Sequence, residues 1–591
     1  MNIITNSFML GIDKFRNHKY DRLFTLTIII LFIVFIILRL FVSSNIYFIA
    51  VDEARYLGLA KNFPYHTLYG NNIMLQHMPL YPYLIAILNN VLKDDVISGS
   101  LVSFVSSILF FYVCFLLLKE FNLNKFIIVI FMFLLTFSNF LISLSNIVFK
   151  EMLLILLFTT TLLFFFKYLK SSRPIHFYLA TISGVAMAYS SDMVIFLLIN
   201  LVMMILVFSK ESQKIVISLL KLDKKKSENL IKTFNIKDFL KSNIKPLAII
   251  FIIFIAYSSW LILRVVIFET HELYLASDEG LIENLTNYNL RYVLSPFSMK
   301  SLSNYHNYYL EFDPLQIVGS LYYLVEIYPF NLPVVYSTNI STLFNLRSGI
   351  ILFFVYLPFI VLFTIGLLAI KFNKLVYKIK LRKTYTFFLL SLISWLPLMF
   401  LGILNSRYIT PLIIPIYFFV SLGLFTLFSK FSKINFRKLC FFTMVLSLLF
   451  LILFLTNNHF LFFTRTNIIQ GDMLALYLKE NNISGAIFIS PGYSMEQAYL
   501  SDSKLQVYGL PFGYDELLLL MDVYNSSYVI LGNHAWDLND APSKYLVRTD
   551  TNNFKLIAIV NNTYLSLEYS DFFEIYKKTN IPNNKSYTLP K

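Results

Sequence analysis

Apolar residues in this chain come in runs of about twenty with abrupt ends, and the charged residues are confined to the gaps between them. A run of that length matches the roughly 30 Å hydrocarbon thickness that a helix rising about 1.5 Å per residue must cross. Such runs fall at 24–43, 98–118, 126–145, 147–166, 177–190, 193–208, 246–268, 349–370, 385–404, 409–428 and 439–456. The pattern predicts a polytopic α-helical membrane protein of about 11 transmembrane helices, with its two termini on opposite sides. Within 177–208 the apolar pattern breaks at Ser190-Ser191-Asp192, either a hairpin tip or a kink in one long helix.

The gaps then orient the chain. Lys14, Arg16, Lys19 and Arg22 precede the first run, and no small-residue cleavage site follows it, so this run reads as an anchor and not a removed signal. Alternate gaps carry Lys119 and Lys125; Lys167, Lys170 and Arg173; Lys210 through Lys245; Lys371 through Lys383; and Lys430 through Lys438. The positive-inside rule makes that side, with the N-terminus, cytoplasmic. Three long segments, 44–97, 269–348 and 457–591, lie on the other face. The Asn-x-Ser/Thr acceptors at Asn284, Asn339, Asn482, Asn525, Asn561 and Asn584 all fall in them.

Composition agrees. With 57% hydrophobic and 14% charged residues and 61 Phe, the chain is too apolar for a soluble globular protein. The formal charge of +15 sits in short loops, which fits anionic membrane lipid and not nucleic acid. Cys114 and Cys440 both lie in apolar runs, so no disulfide framework or cysteine metal site is expected.

Beyond about 460 the period changes. Strand-like Ala486–Ile489, Tyr528–Leu531, Leu556–Ile559 and Tyr564–Leu567 alternate with helix-like Met473–Leu478 and Glu516–Asp522. Two domains are predicted: 1–456 in the membrane, with outer loops 44–97 and 269–348, and an extracytoplasmic α/β domain at 457–591. Asn533-His534-Ala535-Trp536 follows a predicted strand and reads as a loop before it reads as a ligand site.

The candidate chemistry lies in the outer segments. Asp52-Glu53, with Arg55 and Tyr56, follows the first span, where adjacent carboxylates are costly unless they bind a cation, pair with arginine or do acid–base work. His77-Met78-Pro79-Leu80-Tyr81-Pro82 precedes the second; two prolines three apart stiffen it. Lys150-Glu151 opens the fourth, as an internally paired couple or as a cavity-facing acid. Asp192 reads as a solvated turn residue. Arg407-Tyr408, in Arg407-Tyr408-Ile409-Thr410-Pro411, precedes a late span, where an arginine snorkels to headgroups or grips a phosphate with its planar fork.

In this order and sidedness the motifs resemble those of the GT-C superfamily of membrane glycosyltransferases, and within it the protein O-mannosyltransferase and aminoarabinose-transferase branch. The resemblance covers about the first 210 residues and 385–430. It implies an inverting transfer of a sugar from a polyprenyl-phosphate donor to a protein, lipid or glycan acceptor on the extracytoplasmic face; richness in Lys, Asn and Ile fits an A·T-rich prokaryotic genome and so the plasma membrane of a prokaryote. By family position Asp52 is the base that deprotonates the acceptor. Glu53 orients the acceptor or holds Arg55. Arg407 and His77 face the departing phosphate, and Tyr56, Lys150, Glu151 and Tyr408 complete the substrate site. A divalent cation held by Asp52 and Glu151 through hard oxygen ligands is a further option. Two positions depart from the family: His77 is followed by Met78 before its proline, and Ser191-Asp192 stands where many relatives carry a basic residue. The competing class is a transporter or lipid translocase, which would carry internal repeats and mid-span acids; here the acids cluster at one face and no repeat is evident.

Overall fold

The computed structural model describes residues 22–41, 56–57, 59–60, 78–191, 193–209, 236–272, 358–369, 379–394, 410–431, 436–456, 477–478, 480–489, 505–510, 514–532, 542–561 and 572–579. They divide into two compact units. One comprises 1–41, 103–145 and 150–458; the other comprises 42–102, 146–149 and 459–591.

Every predicted apolar run contains a helix among the described residues. In chain order these are α1 (Arg22–Phe41), α2 (Leu80–Leu92), α3 (Asp95–Glu120), α4 (Lys125–Thr136), α5 (Asn139–Leu144), α6 (Glu151–Ser171), α7 (Pro174–Ala188), α8 (Val194–Phe208), α9 (Ile236–Glu272), α10 (Pro358–Ala369), α11 (Ile379–Ile393), α12 (Ile413–Phe431) and α13 (Phe436–Thr456). Helix α2 precedes the second run, and a 3-10 turn, Thr410–Leu412, leads into α12. Five stretches are long and apolar enough to cross a membrane: Arg22–Phe41, Asp95–Glu120, Glu151–Ser171, Phe239–Trp260 and Thr410–Phe428. Helices α2, α4, α7, α8 and α10 are apolar but shorter, and five of the eleven expected crossings meet the length and hydropathy requirement among the described residues. The break at 189–193 separates α7 from α8, so 177–208 is not one continuous helix.

Local signals set the helix ends. The Asn124 side chain caps α4 by accepting from Phe126 N at 3.0 Å. Pro174 opens α7 at its first turn. Glu151 in the first turn of α6 and Lys170 in its last both complement the helix dipole. Lys170 also reaches Glu120 at the end of α3, at 3.0 Å, which brings two of the basic loops to one end of the helical unit. Hydroxyls within the spans bond back to their own helix, as Thr27 does to the Leu23 carbonyl and Thr159 to that of Ile155.

Small residues decide which helices touch. Ser183 of α7 receives a 2.9 Å bond from the Thr161 hydroxyl of α6, and its neighbour Gly184 leaves room for Ile253 of α9. Helices α10 and α12 approach backbone to backbone. A Cβ on Gly366 would overlap the Phe419 carbonyl oxygen, and one on Gly423 would overlap that of Leu362. Tyr385 of α11 seals this junction by donating to the Leu367 carbonyl and setting its ring edge-on to Phe419, 5.4 Å between centroids. Of the five candidate spans, the one at Thr410–Phe428 has the largest buried share, 83%.

The second unit includes a five-stranded sheet of β1 (Gly485–Ile489), β2 (Leu505–Gly509), β3 (Tyr528–Gly532), β4 (Phe554–Asn561) and β5 (Phe572–Lys578), in the order β2-β1-β3-β5-β4. The first three neighbours run parallel and β5 and β4 antiparallel to their partners. Helices α14 (Tyr514–Val523) and α15 (Pro542–Thr549) supply Leu517, Met521 and Val547 to the core on one face, with Phe488 and Val529. Ile487, Ile489, Ile530 and Ile575 fill the other face with Leu478. Burial on both faces explains why β1 and β3 are continuous apolar runs. The predicted strands at 486–489, 528–531 and 556–559 are present, as is the helix at 516–522. The strand expected at 564–567 and most of the helix expected at 473–478 lie outside the described residues.

Strands β2 and β5 and helix α15 escape the sequence reading. β5 hides because its apolar pattern is broken by Glu574 and by Lys577-Lys578; Lys578 is buried and paired with Asp522, and Glu574 is held by Arg548 at 2.6 Å. Tyr514 donates to the Asp550 carboxylate, which also accepts from the Asn553 side chain at 2.8 Å.

Two expectations follow. Replacing Gly423 with Leu should cost about 1–3 kcal/mol or more through overpacking against backbone, read as a lower melting temperature of the detergent-solubilised chain, with Gly423→Ala intermediate. Burial, reinforced by Asp550, pushes the Tyr514 hydroxyl pKa up to about 12. The protonated phenol therefore adds stability that is complete below its unfolded value of about 10 and is lost as pH rises from there toward about 12. Thermal melts over that window should fall less steeply for Tyr514→Phe than for the parent, and equal slopes would contradict the assignment.

Candidate functional site

In the unit that contains the sheet, Tyr56 is buried and meets Tyr81 edge-on, with ring centroids 5.2 Å apart. Tyr81 is itself fully buried on α2, where its hydroxyl donates to the Gly99 carbonyl at 3.3 Å. A side chain on Gly99 would overlap Val148, so glycine is needed for this close packing. Tyr56 stands three residues after Glu53 and one after Arg55; Tyr81 stands four after His77. The structure thus brings together the described ends of two predicted motifs. Asp52, Glu53, Arg55 and His77 themselves lie outside the described residues.

The helical unit holds the rest. Half-buried Lys150 occupies the cap position of α6, and Glu151, 3% exposed, is the first residue of the helix. A carboxylate that deep requires compensation, and the helix N-terminus supplies part of it. The 3-10 turn Thr410–Leu412, fully buried, packs against α6. Arg407 and Tyr408, immediately before that turn, lie outside the described residues, as does Asp192. Glu151 and the turn behind Arg407-Tyr408 therefore belong to neighbouring elements. Asp52 being undescribed, its pairing with Glu151 around a cation lies outside the described residues too; among those, no group of three or more His, Cys, Asp or Glu side chains could hold a metal.

One buried charge escapes the sequence reading altogether. Arg39 lies two residues before the end of α1 and is 0% exposed. Its Nη1 donates to the Phe35 carbonyl at 3.2 Å, and its guanidinium carbon lies 3.3 Å from the centre of the Phe35 ring. Its Nε and Nη2 have no hydrogen-bond partner among the described residues. Tyr417, one turn into α12, is close enough to act electrostatically on the guanidinium. The available signal was a single cation inside an otherwise apolar span, which marks a functional position by its cost alone.

The described architecture is similar in fold to ArnT from Cupriavidus metallidurans. The structure of ArnT from Cupriavidus metallidurans in the apo state matches with a TM-score of 0.52 at 11% identity, covering 93% of this chain and 97% of that one. The same enzyme bound to undecaprenyl phosphate gives 0.49 at 11% identity, covering 96% and 99%. The oligosaccharyltransferase of Archaeoglobus fulgidus, tethered to an acceptor peptide containing the NVT sequon, gives 0.45 at 12% identity, covering 86% and 68%. No family model and no curated protein sequence matches the chain.

Proposed function

We propose that this chain is an inverting glycosyltransferase that moves a sugar from a polyprenyl-phosphate donor to an acceptor at the extracytoplasmic membrane face. The packing of Tyr56 on Tyr81 carries the reading, in a chain with the fold of ArnT. It supports placing the segment of Asp52, Glu53 and Arg55 beside that of His77, so that carboxylates and a phosphate-facing cation share one site. ArnT has itself been captured with undecaprenyl phosphate.

In this reading Asp52 takes the proton of the acceptor hydroxyl as it attacks the anomeric carbon, and Glu53 orients the acceptor or holds Arg55. The carbon–oxygen bond to the carrier phosphate breaks as the new glycosidic bond forms on the opposite face. Negative charge grows on the departing phosphate, and His77 and Arg407 stabilise it. Lys150, Glu151, Tyr56 and Tyr408 shape the pocket around both substrates. A divalent cation, if Asp52 and Glu151 hold one, would screen the phosphate; no step above depends on it. The sheet-bearing region, 457–591, lies outside the membrane and contributes to acceptor choice.

Asp52→Asn keeps the shape and removes the base. Sugar transfer from a polyprenyl-phosphate donor by the purified variant should fall about a hundredfold or more, with donor binding retained. Undiminished turnover would remove Asp52 as the base and sink the assignment.

A further inference from the structure

We propose that Arg39 is a second anion-binding residue, taking the phosphate of the lipid carrier from inside the helical unit. This rests on the reading above but names a residue outside its motifs.

The geometry of the guanidinium carries the idea. Nη1 is already committed to the Phe35 carbonyl, and the Phe35 ring fixes the plane. The two nitrogens left without partners among the described residues, Nε and Nη2, are the pair whose N–H bonds run parallel. That edge matches two oxygens of a phosphate or carboxylate. The fork is thus pre-oriented and has no hydrogen-bond partner among the described residues, in a side chain with no exposed surface. A cation in that state is costly in a low-dielectric interior, and an anionic ligand is what compensates it. No ion pair involves Arg39 among the described residues.

Its position selects the kind of anion. Arg39 is near the C-terminal end of α1, and Tyr417 is near the N-terminal end of α12, one turn past the 3-10 turn that packs on α6. A ligand that partitions into the bilayer and carries its charge at the end of its hydrocarbon chain reaches such a place. A lipid phosphate has both properties, and a soluble carboxylate has neither.

The test uses the full chain in detergent, with Arg39→Met and Arg39→Lys, and reads melting temperature and affinity against undecaprenyl phosphate, undecaprenol and phosphatidic acid. Undecaprenyl phosphate should raise the melting temperature of the parent, and undecaprenol should not. Arg39→Met should melt at or above the parent when ligand-free, since it loses an unpaired buried charge, and should bind undecaprenyl phosphate about tenfold or more weakly. Arg39→Lys, which keeps the charge without the fork, should fall between, and it decides the matter if the methionine variant does not fold.

Unchanged affinity in the variants overturns the role of Arg39 while leaving the parent's lipid-phosphate binding, and so the proposed function, standing. A ligand-free Arg39→Met that melts below the parent marks a structural residue and also overturns it. An equal response to phosphatidic acid assigns the anion to bulk lipid and rejects the carrier. No response of the parent to undecaprenyl phosphate removes this proposal and the donor class together.

Discussion

Contact between the backbones of α10 and α12 is the constraint on which the helical unit depends. Inside a bilayer the hydrophobic effect does little to hold helices together, so adhesion rests on dispersion, which requires close approach. Gly366 and Gly423 permit it by placing each helix against a carbonyl of the other. With α12 held there, the residues from Leu412 through Leu422 become almost completely buried. Its entry turn is thereby seated against α6. The polar end of the unit is therefore positioned by apolar packing farther along the same helix.

Different physics holds the sheet. Its central strands β1 and β3 are buried on both faces, so its stability comes from removal of apolar side chains from water. Its charges are managed in pairs: Lys578 with Asp522 and Arg548 with Glu574. Because β1, β2 and β3 are mutually parallel, their carboxyl ends all emerge at one end of the sheet. In sheets with parallel strands that end is where ligands are usually gathered.

What was legible in the sequence followed from how long each signal is. A span of about twenty apolar residues is an unambiguous pattern, so each predicted run holds a helix, although several helices end short of a full crossing. Strands β1 and β3 were legible because burial on both faces made them unbroken. β5 was not, because its ends carry charges whose partners, Asp522 and Arg548, are remote in sequence. Short motifs named Tyr56 and Glu151, and both are buried. Arg39 belonged to no motif. Its importance comes from its complete burial in the folded unit, and no local window records that.

The separation of Arg39 from Tyr417 along the chain also has a meaning in time. Arg39 enters the membrane in the first span to be made, but the helix carrying Tyr417 is synthesised about 380 residues later, on the order of tens of seconds at usual rates of about 5–20 residues per second. Throughout that interval the guanidinium lacks that neighbour and can snorkel toward the headgroup region, since the apolar run that carries it ends at 43. A charge one or two turns deeper would have to wait in hydrocarbon. The depth at which a buried arginine can be placed in a first span is thus limited by biogenesis as well as by the finished structure.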